Sequence, residues 1–167
     1  GVASNVHADV SAGDFTGGSG ISAIGFGTNG ATASSWSNST LDSSDYFQIT
    51  LTPDPGKQIT INKINFGERR SAQGIRDYQA QWSKSASFTS PNTIATVNVP
   101  DEELERDGTI SGLNIVVNSG ETIYIRWFGY NSESPAGTWR INDATLSVEG
   151  TISNTGGGNG SSLNIVK

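Results

Sequence analysis

Five of the six arginines fall in two short stretches: Arg69, Arg70 and Arg76 in FGERRSAQGIRDYQAQWS, and Arg126 and Arg140 in the segment 126–140. Arg106 stands apart in an acidic run. A guanidinium is costly to bury unpaired, so this concentration has two readings. Glu68, Asp77 and Glu133 pair with the arginines structurally, or the planar donors grip a ligand, either sugar hydroxyls or, bidentately, a carboxylate or sulfate group. Amide and aromatic residues lie beside them. In IRDYQAQWS, Gln79 and Gln81 alternate with Tyr78, Ala80 and Trp82; in ETIYIRWFGY, Tyr124, Arg126, Phe128 and Tyr130 alternate with Ile123, Ile125 and Trp127. If both runs lie in one sheet with their apolar faces inward, Gln79, Gln81, Tyr124, Arg126, Phe128 and Tyr130 share an outward surface. Rings stack on the C–H faces of pyranoses while Arg and Gln bond hydroxyls, so that surface suits a glycan. Its bland counterpart is a set of cross-strand pairs that only stabilises the sheet. Trp139, beside Arg140, joins the stacking candidates. Trp36, in a Ser-rich stretch, reads as a surface platform, whereas Trp82 and Trp127 read as core.

Hydrolysis of a glycoside needs two carboxylates facing each other across a cleft. Glu68, Asp77, Glu121 and Glu133 are candidates, but any acidic chain supplies such pairs. No nucleophile elbow, P-loop, HExxH or EF-hand loop is present. The chain has no cysteine and a single histidine, His7, which excludes thiolate metal sites and cysteine nucleophiles and argues against a serine-type triad. An enzyme is not expected. Structural calcium, which takes about six to eight oxygen ligands, is the one cofactor expected, with Asp143 near the last strand and Asp9 or Asp14 near the first. Turn capping is the alternative use of those aspartates.

These residues need elements to position them, and the pattern supplies strands. The 167 residues carry 21 glycines and 34% hydrophobic residues in short periodic runs, which points to an all-β chain with many turns. YFQITLT (46–52) alternates with Phe47, Ile49 and Leu51 inward, and PDPG (53–56) is a turn. In QITINKINF, Ile59 and Ile61 share one phase and Ile64 and Phe66 the other, which predicts a bulge near Asn62–Lys63. GTWRINDATLSVEG changes phase again. Weaker strands are expected at Asn5–Val10, Ile21–Phe26 and Ala33–Ser37, and DEELERDG reads as an acidic turn or one helical turn. The expected fold is an antiparallel β-sandwich of jelly-roll type over residues 1–150. Residues 151–167 read as a Gly/Ser/Asn-rich linker and the start of a following segment.

The formal net charge of −6 argues against nucleic acid and anionic membranes as partners. No apolar run approaches the roughly 18 to 20 residues of a membrane span. Composition reads as bacterial and extracellular, either secreted or at the cell surface, and the domain is expected to be a monomer.

Taken together, YFQITLTPDPG, FGERRS and FGYNSESPAGTWRINDATLSVEG resemble a recurrent carbohydrate-binding-module-like β-sandwich of secreted bacterial proteins. The resemblance covers roughly residues 20–150. It implies a noncatalytic accessory domain that holds a covalently linked catalytic domain on a polysaccharide. In the closing strand the family pattern reads Ile-Asp-Asn where this chain has Ile141-Asn142-Asp143, which moves the aspartate by one position. The arginine clusters add the expectation of an anionic polysaccharide. A structural or adhesive spacer, a glycan-active enzyme and a protein-binding domain are the alternatives.

Overall fold

The computed structural model describes residues 3, 5–22, 24–27, 30–158 and 160–166, with the backbone alone for Asp143 and Ala144. No helix occurs among them, and none is therefore long and apolar enough to cross a membrane. The strands are β1 (Val10–Ala12), β2 (Thr16–Gly17), β3 (Gly25–Gly27), β4 (Gly30–Ala33), β5 (Tyr46–Pro53), β6 (Lys57–Arg70), β7 (Asp77–Ser83), β8 (Asn92–Asn98), β9 (Arg106–Asp107), β10 (Ile115–Val117), β11 (Ile123–Tyr130), β12 (Trp139–Asn154) and β13 (Ser161–Val166).

The first sheet runs β1-β5-β11-β7-β8, with β2 also on β5. The second runs β10-β6-β12-β4-β3, with β13 on β12 and β9 on β6. Period-two burial faces the sheets toward each other. Phe47, Ile49, Leu51, Ile123, Ile125 and Trp127 point in from the first sheet, and Ile59, Ile61, Ile64, Phe66, Trp139 and Ile141 from the second. Rings meet across the interface: Phe66 lies edge-on to Trp127 at 5.5 Å, and Tyr78 stacks on Trp139 at 5.1 Å. Each fully buried side chain of this kind contributes about 2 kcal/mol. The molecule is the antiparallel β-sandwich that the alternation predicts.

Two bulges reconcile the phase changes. Lys63 pairs with Glu149 and Ile61 with Gly150, so Asn62 is the extra residue that lets Ile59, Ile61, Ile64 and Phe66 all face the core. A second register shift lies between Asn142 and Ser147 on β12, opposite Gly67 and Asn65.

Several expectations are corrected. Most of the expected linker 151–167 is sheet: β12 continues through Asn154, and β13 returns along β12 with Leu163 and Ile165 buried. Trp36 is no platform. It is 2% exposed, donates its indole N–H to the Ala33 carbonyl at 2.9 Å, and packs edge-on to Phe47 and Trp139. DEELERDG forms no helical turn; its end is β9, paired with Gly67 and Glu68. In the N-terminal region, pairing falls at β1, β3 and β4, displaced from the ranges expected. Asn5 and Val166 exchange backbone hydrogen bonds (3.4 and 3.0 Å), joining the two ends of the described chain.

Candidate functional site

The neighbours of β11 decide what its outward residues meet. Arg126 lies opposite Gln48 of β5 and Gln81 of β7; Phe128 lies opposite Tyr46 and Gln79; Tyr130 lies opposite Asp77; and Tyr124 lies opposite Thr50 and Ser83. The outer face of the first sheet thus brings together Gln79, Gln81, Tyr124, Arg126, Phe128 and Tyr130, because the alternation that buries Ile123, Ile125 and Trp127 turns their neighbours outward.

Arg126 is at its centre. Its guanidinium sits over the Tyr46 ring at 3.9 Å and over the Phe88 ring at 4.1 Å, and its Nε donates to Gln48 Oε1 at 2.7 Å. Phe88 comes from the β7–β8 loop, which holds it at φ 55°, and it folds back onto the face against Phe128 at 5.7 Å. Tyr46 flanks Phe128 from the other side at 5.6 Å, which leaves Phe128 only 2% exposed. Phe128 therefore supports the platform from below and is not itself a stacking surface. Beside them Gln81 donates to Gln79 Oε1 at 2.9 Å, which fixes the orientation of both amides.

The electrostatics single Arg126 out. No carboxylate pairs with it, and its Nη groups have no protein acceptor among the described residues. Burial lowers its pKa, offset in part by Tyr46 and Tyr124, yet the charge is kept because the guanidinium remains a strong base. Two ring faces and one amide compensate for the lost hydration. Asp77 is the one carboxylate that the strands of this sheet place on the face, and it accepts bonds from Asn98 and Asn131. Among the described residues no opposed carboxylate pair lies on that face.

The other arginines sit elsewhere, each against a carboxylate. Arg70 is 1% exposed and bonds Asp101, Glu133 and the carbonyls of Ser71 and Ala72. Arg76 Nη1 lies 3.0 Å from both Asp101 and Glu133, but neither contact has hydrogen-bond geometry, so this pairing is coulombic. Arg106 meets Glu68 at 2.6 Å. Arg69 and Arg140 lie on the outer face of the second sheet with Glu103 and Glu105. Trp139 is fully buried and donates to Glu68 at 2.8 Å, so it offers no ring to a ligand. Arg70 is likewise enclosed and presents no free donor fork.

The sequence reading missed Tyr46, Gln48 and Phe88. The outward phase of YFQITLT contains the first two, and Phe88 is a lone aromatic in a Ser-rich loop, a signal too slight without its long-range packing. Among the expected metal ligands, Asp9 lies 3.2 Å from Lys57. Asp14 follows β1, and the Asp143 side chain is outside the described residues. Among the described residues no group of three or more His, Cys, Asp or Glu side chains is placed to hold a metal ion.

No family model and no curated protein matches the chain. Solved structures do. The chain is similar to a structure of CBM4, with 17% identity over 77% of this chain and 76% of that one and a TM-score of 0.48. It is similar to the xylan-binding module CBM15, with 10% identity over 92% and 95% and a TM-score of 0.49. It is also similar to the N-terminal cellulose-binding domain of Cellulomonas fimi β-1,4-glucanase C, with 9% identity over 78% and 82% and a TM-score of 0.42.

Proposed function

We propose that this β-sandwich is a noncatalytic carbohydrate-binding module whose site is the outer face of the first sheet, centred on Arg126. The observation that carries the reading is the state of that arginine. Every other arginine is matched to a carboxylate, whereas Arg126 is held rigidly between two rings with its Nη donors unclaimed. A half-buried cation kept without a counter-ion suits an acceptor that arrives from outside. Tyr46 and Phe88 supply ring surface beside it, Tyr130 lies farther along the same face, and Gln79 and Gln81 supply oriented amides for hydroxyls. The lone Asp77, already bonded by two amides, leaves no acid–base pair for hydrolysis.

An attached catalytic domain, an extracellular location and a monomeric state belong to the same reading, as does preference for an anionic polysaccharide, which the uncompensated charge of Arg126 favours. Structural calcium, if bound through Asp143, raises the melting temperature when added and lowers it with chelator.

Affinity electrophoresis through gels containing neutral and acidic polysaccharides tests the function. Retardation by at least one polysaccharide is expected. It is expected to be lost in Arg126→Ala and weakened about three- to tenfold in Phe88→Ala, with melting temperatures unchanged. Loss of retardation with added salt identifies carboxylate or sulfate pairing; retention identifies hydroxyl recognition. A chain that no polysaccharide retards is not a carbohydrate-binding module.

A further inference from the structure

The outer face of the second sheet carries a different pair of arginines. Arg140 on β12 lies directly across from Arg69 on β6 and from Thr32 on β4. Trp139, Ile141, Ala31 and Ala33 take the inward positions, so these three residues face outward. Like charges opposite each other on adjacent strands repel, and the pair needs neutralising. The counter-charges come from the segment between β8 and β9. Glu105 accepts from Arg140 Nη2 at 2.7 Å, and Glu103 lies 3.8 Å from Arg69 Nη2.

That neutralisation is incomplete. The Arg69–Glu103 contact is too long for a hydrogen bond, and its two side chains are 42% and 52% exposed. Arg140 Nε is buried and has no acceptor among the described residues. A cavity of about 220 Å³ lies here, lined by both arginines and by Arg70, Glu103, Thr32, Ser71 and Thr138. It is several times the roughly 30 Å³ share of one water, and its wall is cationic and hydroxyl-bearing, with one carboxylate weakly held at the rim.

We infer that this cavity is a second, independent binding site for an anionic oxygen group, the carboxylate or sulfate of an acidic glycan, and that Glu103 is the internal stand-in which the ligand displaces. An exposed ion pair is worth about 0.2–1 kcal/mol, so moving Glu103 aside costs little. An oxyanion meeting Arg69 and Arg140 restores what Glu103 supplies poorly. Hydroxyls of Thr32 and its neighbours suit the rest of a sugar ring. The site lies on the opposite outer face from Arg126 and does not depend on the reading given for that face.

The test is a ¹⁵N-resolved NMR titration of the whole chain with sodium glucuronate and with sodium sulfate, against sodium chloride at equal ionic strength. Glucuronate, sulfate or both are expected to shift the amides of Ser71, Thr138 and Arg140 beyond the chloride control, and the active arm identifies the anion. The shifts are expected to vanish in Arg69→Gln, and binding is expected to tighten about threefold in Glu103→Gln. Arg69→Lys, which keeps charge without the fork, serves if Arg69→Gln does not fold, and is expected to weaken binding. Shifts equal to those with chloride, insensitive to Arg69, or no stronger in Glu103→Gln overturn the inference. Amides of β7 and β11 report the Arg126 face in the same spectra, so the two sites fail or stand separately.

Discussion

Arg70 and Arg126 hold their charges by opposite means, and their substitutions are expected to separate stability from binding. Arg70 is enclosed and satisfied by two carboxylates and two carbonyls. Arg70→Ala removes the charge-assisted bonds to Asp101 and Glu133 and opens a cavity where the enclosed side chain was. It is expected to cost about 3 kcal/mol, a fall of about 6–12 °C in melting temperature for a domain of this size, with glycan retardation retained by the folded fraction. Glu121 acts at the same scale. The Lys84 ammonium at 2.6 Å and then the Asn118 backbone N–H hold its carboxyl below the ordinary value of 4.5. Because the folded-state pKa is depressed, this stabilisation is full above 4.5 and is lost as pH falls through the lowered folded value. Glu121→Gln is expected to be less stable than the wild type at pH 7, by under about 1 kcal/mol for so exposed a pair. Denaturant unfolding at pH 7 and pH 3 checks whether the difference closes in acid.

At the scale of elements, the bulge at Asn62 decides whether β6 can face the core along its length. Gly150 sits opposite it, and a Cβ there would run into the Thr60 carbonyl, which is backbone and cannot move aside cheaply. Gly150→Ala is expected to cost about 1–3 kcal/mol, read as a lower midpoint in denaturant at unchanged slope. This bulge was legible in the sequence because Ile59 and Ile61 fall out of phase with Ile64 and Phe66, and only an extra residue repairs that. The shared face of β7 and β11 was legible for the same reason. The β12–β13 hairpin was not: TGGGNGSS has the composition of a linker, and it masks the short alternation of Leu163 and Ile165. The ion-pair partners were also hidden, since Asp101, Glu103 and Glu105 approach Arg69, Arg70 and Arg140 through strand pairing between distant segments. Trp36 and Trp139 look alike in sequence to exposed aromatics, and their burial follows from the way the two sheets meet.

The whole molecule is one hydrophobic unit that reaches from Val10 to Ile165. A chain ending at Asn154 is expected to lose about 4 kcal/mol from the two buried side chains of β13, and about 10 °C in melting temperature; a true linker could be cut without any loss. The net charge of −6 is punctuated by two arginine-bearing spots, Arg126 on the outer face of the first sheet and Arg69 with Arg140 on the outer face of the second. The exchange of hydrogen bonds between Asn5 and Val166 has a mechanical consequence. Bonded partners of this kind lie about 5.5 Å apart, so tension applied to the two ends opens that one rung before it reaches the sheets. Inserted in a longer strand, the sandwich adds almost nothing to contour length until it unfolds. While that rung holds, the sandwich hangs beside the line of force and the sheets stay unloaded.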